Sequence, residues 1–180
     1  MQQPADVLTF WFKDATPEQR FKKDIAFDQQ IRQQFFETHQ ALAKCEGANW
    51  RQTIHGRLAE IIVLDQFSRN MFRQTPQAFA YDSLALILAQ EAVATQQTEQ
   101  LTTDELAFLL MPYMHSESPI IHQEAVKLFA SPGLESYLDF EIQHKTIIDR
   151  FGRYPHRNVI LGRLSTVEEL AFLGTPNSSF

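Results

Sequence analysis

Apolar side chains recur at steps of three and four along most of this chain, the spacing that lines one face of an α-helix. The few β-like runs lie between helix stop and start signals rather than hairpin turns. Pro4 can open a short helix that reaches Phe12. Ile25, Phe27, Ile31, Phe35, Phe36 and Leu42 then form the stripe of a long amphipathic helix, with Gly47 placed as its C-terminal cap. From Arg57 the pattern changes. Leu58, Ala59, Ile61, Ile62, Val63, Leu64 and Phe67 are apolar nearly all round, which predicts a central helix buried on most sides.

Thr75 followed by Pro76 is an N-cap and first-turn pair for a helix running through Phe79, Leu84, Leu88 and Val93. Thr102 with Glu105 is a capping box, and Ser118 with Pro119 starts the next helix. A further helix from about Leu134 carries Tyr137, Phe140, His144, Ile148 and Phe151, and Gly152 ends it. Ser165 with Glu168 predicts a last capped helix to about Leu173, after which the tail at 174–180 reads as loosely tethered. The pattern therefore predicts a single all-α domain over residues 1–180, an antiparallel helical-hairpin array of about eight helices.

Composition narrows the class. A chain of 180 residues buries a core without crosslinks, and 15 Phe against 4 Tyr means that much of the Phe is internal. The lone Cys45 excludes an intrachain disulfide and a Cys-based metal cage, and points to a reducing compartment with the cytoplasm as default. The apolar run at 8–12 is too short for a membrane span or an export signal. A net charge of −6 argues against a nucleic-acid or anionic-membrane partner.

The charges are unevenly spread. Two stretches, 66–81 and 150–167, hold no acid and no lysine but carry Arg69, Arg73, Arg150, Arg153, Arg157 and Arg163. The planar arginine fork suits bidentate binding of a carboxylate or phosphate. The competing reading is that these arginines clasp internal carboxylates such as Glu60, Asp82, Glu117 and Asp149.

Three motifs collect the chemistry. In LDQFSRNMFR, Asp65 and Gln66 close the aliphatic run, so a buried carboxylate there needs a partner. Arg69 lies one helical turn on, and Asn70 and Arg73 project from the same end. In RFGRYPHRNVILGR, Gly152 and Pro155 fold Arg150, Arg153, His156 and Arg157 into a turn. If Pro155 opens a short helix through Leu161, then His156, Arg157 and Asn158 occupy a first turn whose free N–H groups favour an anion. MHSES sets His115, Ser116 and Glu117 in a link between helices.

His115, Glu117 and His122 are a candidate metal-ligand set, without the HExxH spacing. Ser116 lacks the G-x-S-x-G elbow of a serine hydrolase. His144 falls on an apolar stripe, where a histidine is more often a core residue, and His39 and His55 stand in polar surroundings. Phosphate-binding glycine loops and paired cysteines are absent from the sequence, so no cofactor is expected.

The strings FWF, LAEIIVLDQFSRNMFR, TPQAFAYD, FLLMPYMHSES, IIDRFGRYPHRNVILGR and STVEELAFL occur in this order along about the whole chain. Together they resemble the bacterial family known as domain of unknown function 924. The resemblance implies an all-helical, tetratricopeptide-like superhelical arrangement and brings no activity with it. It also implies, as signature polar positions, Asp65, Gln66, Arg69, Asn70, Arg73, Asp82, His115, Ser116, Glu117, His144, Arg150, Arg153, His156, Arg157 and Asn158. Ser68 departs from the proline usual after DQF, which leaves the helix exit before Arg69 less rigidly set.

Three functions are consistent with these residues. The favoured one is a pocket for a small anionic ligand, with Arg69, Arg73, Arg153 and Arg157 as a clamp and with Asn70, His144, Arg150 and Asn158 beside it. There His156 or His115 would transfer a proton, oriented by Glu117 or Asp65. The second is a tetratricopeptide-like surface that binds a peptide, and the third is a metal-dependent hydrolase using His115, Glu117 and His122.

Overall fold

Capping side chains decide where the helices begin. The computed structural model describes every residue except 177 and 180. α1 (Pro4–Thr9) starts at a proline and widens into a π-helical turn at Phe10–Asp14. α2 (Pro17–Phe21) is capped by Thr16, and α3 (Ile25–Ala43) by Asp24, whose carboxylate accepts from the N–H groups of Ala26 and Phe27. Gly47 does not cap α3, because Cys45 takes the left-handed conformation (φ 63°) instead. Gly47 is needed for closeness: a Cβ there would lie 2.4 Å from Leu42 Cδ2 and 3.0 Å from Glu60 Oε1.

α4 (Ile54–Ile62), capped by Thr53, runs through a second π-helical turn at Val63–Phe67 into α5 (Ser68–Met71). The helix expected from Thr75 is broken. One 3₁₀ turn covers Pro76–Phe79, and α6 (Asp82–Ala94) begins afresh, which puts Asp82 at its first position. α7 (Thr103–Met114) carries the predicted capping box, α8 (Pro119–Phe129) follows MHSES, and α9 (Glu135–Phe151) ends at Gly152 with φ 68°. Pro155–Arg157 is a single 3₁₀ turn, and α10 (Val167–Leu173) closes the order. The cap of α10 is Thr166 with Glu169, one residue beyond the predicted pair, because Arg153 also holds the Glu169 carboxylate.

The fold is an all-helical bundle wound on α4, and the described residues contain no strand. Leu58, Ala59, Ile61, Ile62, Val63 and Leu64 are fully buried, as their all-round apolarity predicts. α1, α6 and α7 pack on α4, while α3 covers the π-helical turn and α5. From α6 to α9 each helix packs on the next, which is the helical-array part of the expectation. Phe10, Trp11, Phe27, Phe35, Phe67 and Phe108 fill the space between α1, α3, α4 and α7 with ring contacts of 4.9–6.1 Å, which accounts for much of the Phe. In the predicted tail Ser178 is buried and donates to the Leu173 carbonyl, while Asn177 and Phe180 lie outside the described residues.

Candidate functional site

The π-helical turn at Val63–Phe67 carries Asp65 at the end of the aliphatic run and buries it completely. Such turns recur at functional sites, because the extra residue re-aims side chains and loosens the carbonyl ladder. Arg69 answers both needs. Its Nη1 donates to the Asp65 carbonyl at 3.0 Å and lies 2.9 Å from the Asp65 carboxylate. Gln66 Nε2 donates to Oδ2 at 2.6 Å, and His115 Nδ1 reaches Oδ1 at 2.8 Å.

Burial opposes the Asp65 charge, but Arg69, His115 and the Gln66 bond outweigh it and hold the carboxyl well below its ordinary range. Burial, reinforced by Arg69, also holds the His115 imidazole below its ordinary value, despite the pull of Asp65. The pair is thus a carboxylate accepting Nδ1–H from a neutral ring, which leaves the lone pair of His115 on Nε2.

His115 forms one wall of a cavity of about 280 Å³. Asp82, Ser83, Ser116, Glu117 and Arg157 supply its polar lining, and Phe79, Leu86 and Leu161 part of its apolar lining. Asp82 accepts both Nη atoms of Arg69, at 2.9 and 3.0 Å, and Nη1 of Arg157 at 3.2 Å. The Arg157 guanidinium is sandwiched between the rings of Phe79 and Tyr154, 4.6 Å from each centroid. Its Nε is buried without a hydrogen-bond partner. Burial, together with the like charge of Arg69, pulls the Arg157 pKa below its ordinary value.

Tyr154, which sequence reasoning passed over, organises the rest. Its N–H donates to Glu117 at 2.7 Å, its O–H to the Met114 carbonyl at 2.6 Å, and its carbonyl accepts from Arg163 at 3.1 Å. His122, His144 and His156 surround its ring, and burial pushes the phenol pKa upward. Beneath the 115–118 link, His122 is fully buried between the Ser116 carbonyl at 2.8 Å and Glu141 at 2.6 Å. Glu141, likewise fully buried, is the other residue that no motif marked. It sits on α9, far along the chain from its partner.

The expected four-arginine clamp is not assembled. Arg69 and Arg157 meet at Asp82, but Arg73 forms a two-pronged pair with Asp28, to which Asn70 also donates. Arg153 holds Glu169, and Arg150 stands over the rings of Phe151 and Phe172. Arg73 and Arg153 thus meet acids on α3 and α10, outside the acid-free stretches, while Arg150 packs on rings of α9 and α10. Asn158 bonds Ser165 and Arg163. His144 donates Nδ1–H to the Phe140 carbonyl, and burial lowers its pKa to about 3, as expected for a core histidine.

His156 stands beside Tyr154 rather than in the cavity lining, with its pKa lowered to about 4 by burial and then by Arg157. Glu117 is held by an arginine and a backbone N–H. Arg163 clasps it at 2.6 and 2.9 Å and, with the Tyr154 N–H, keeps it ionised against burial. The backbone N–H groups of Arg157 and Asn158, two of the three in the first turn predicted to favour an anion, bond to the Tyr154 and Pro155 carbonyls. His115, Glu117 and His122 each face a different partner, and among the described residues no three His, Cys, Asp or Glu side chains are grouped as a metal ion needs.

His39 also differs from expectation. It is buried, edge-on to Phe72 and Tyr81, and bonded to Ser68 at 2.8 Å. Ser68 in turn donates to the Leu64 carbonyl, so the helix continues through the position where a proline was usual.

A helical bundle built on a buried helix, with an Asp–His–Arg cluster beside a small cavity, defines the class of protein. Residues 7–177 match the family described as Bacterial protein of unknown function (DUF924), and the chain belongs to that family. A solved structure of a protein of unknown function from Agrobacterium tumefaciens is similar to it, with 38% identity and a TM-score of 0.90. The similarity covers 95% of this chain and 96% of that one. A comparison with curated proteins gave no match. Among the described residues no helix is long and apolar enough to cross a membrane.

Proposed function

We propose that the cavity between α6, α7 and the Pro155–Arg157 turn binds a small anionic ligand, and that His115, oriented by Asp65, exchanges a proton with it. The observation that carries this reading is the 2.8 Å Asp65–His115 contact on the wall of a cavity that also holds Arg157. A carboxylate behind Nδ1 fixes the tautomer and supports an imidazolium, which is the arrangement a general base needs. Arg157 supplies the cation, pre-organised by two aromatic faces and carrying a buried N–H without a partner. The complete burial of α4 residues by the surrounding helices favours this reading over a peptide groove.

Thermal-shift measurements with phosphate and short carboxylates test it. Ligand at about 100 times its Kd stabilises the wild type by roughly 2.7 kcal/mol. Arg157→Ala is expected to lose that response while Arg153→Ala keeps it. A wild-type melting point that no anion raises would sink the proposal.

A further inference from the structure

Six fixed charges surround the cavity and cancel. Arg69, Arg157 and Arg163 are matched by Asp65, Asp82 and Glu117 through the contacts described above. His144 and His156 are uncharged at neutral pH, since burial holds them near 3 and 4, and the Tyr154 phenol stays protonated. An incoming anion therefore meets a neutral shell, and a charge moved out of water needs a compensating one. His115 can provide it. Its ring lines the cavity, and Asp65 already sits on its Nδ1 side. The groups that act on it from the packed elements are Asp65 on the π-helical turn, Arg69 on α5, Asp82 on α6 and His144 on α9, with Glu117 and Arg157 on the cavity wall.

One added proton balances one negative charge. A dianion such as sulfate overshoots, because among the described residues the cavity wall holds no second histidine. The non-polar wall gives the other half of the specification. Phe79, Leu86, Pro112 and Leu161 face a space just below the usual range for small-molecule sites, which suits a short aliphatic body. Arg157 offers a planar donor edge between two rings, suited to a carboxylate.

Resting on the anion-pocket reading above, we propose that the ligand is a monocarboxylate with a short apolar body, held at Arg157 and bound together with one proton taken up from solvent by His115. Isothermal titration of the full chain with isovalerate near pH 6.5, in two buffers of different ionisation heat, reads the proton directly. Uptake approaching one proton per ligand is expected, with affinity falling about tenfold per pH unit until the His115 pKa of the complex is passed. Inorganic sulfate, a dianion at this pH, and the neutral isostere isovaleramide are each expected to bind more weakly by about tenfold or more.

His115→Gln keeps an N–H for Asp65, and is expected to bind isovalerate with no uptake. Because that variant could fold poorly, the His115 ring signals of the wild type are also followed by NMR, and are expected to move to the imidazolium position as isovalerate is added. Isovalerate binding without uptake, uptake that persists in His115→Gln, or a preference for sulfate overturns the monocarboxylate proposal and leaves the anion pocket standing. Binding of neither anion removes both.

Discussion

Asp65 has no contact with solvent, yet it stays ionised because three donors from three sides replace water: Arg69, Gln66 and His115. Replacing it by Asn leaves Arg69 with Asp82 as its one ionised partner and turns a carboxylate that faced three donors into an amide. The expected cost is about 3–5 kcal/mol, read from urea unfolding, as for other buried pairs that lose one member. Ser68 has a quieter role of the same kind. Its hydroxyl donates to Leu64 and accepts from His39, all out of solvent. Ser68→Ala is expected to cost about 1–3 kcal/mol in the same assay, because the His39 N–H is left without a partner in the core. The need of Asp65 for a cation was legible in the sequence, since an acid directly after a run of seven mostly aliphatic residues has to be paired. The partners of Arg73 and Arg153 were not, because Asp28 and Glu169 reach them only after the chain has turned several times.

At the scale of elements, the π-helical turn and the 115–118 link do what neither regular helix could. The turn swings Asp65 toward α7, and the link hangs between Tyr154, His122 and Arg163, so that His115 and Glu117 reach the cavity from one short segment. Arg153 belongs to a different element pair, tying the end of α9 to the capping residue pair of α10. Arg153→Ala is therefore expected to speed amide hydrogen exchange in α10, leaving protection of α4 and affinity for cavity ligands unchanged. Thr166→Ala, which removes the cap alone, is expected to do the same at a cost of about 1 kcal/mol. Equal loss of protection in α4 would show that α10 unfolds only with the whole bundle.

For the molecule as a whole, acid should be the weak side. His39, His144 and His156 are held neutral by burial, with pKa values near 4, 3 and 4. A histidine whose folded pKa lies below its unfolded value contributes stability that is present above about pH 6.5 and lost as pH falls toward the folded pKa. Each such group removes at most about 1.4 kcal/mol per pH unit across that window, less where the ring keeps some solvent. Asp65 and Glu169, whose folded pKa values are depressed, add a second loss below about pH 4. Urea midpoints measured from pH 7.5 to 4 are expected to decline from about pH 6.5 downward, and a midpoint flat to pH 4.5 would contradict the burial of these histidines. By itself the sequence determined the all-helical class, the central position of the helix from Arg57 through Phe67 and most helix ends, because periodicity, caps and breakers act within a few residues of chain. Only the tertiary structure decided which arginines line the cavity and which meet internal carboxylates, and that Tyr154 and Glu141 are packed at its back. Charge pairing depends on distance in space, and no local pattern encodes it.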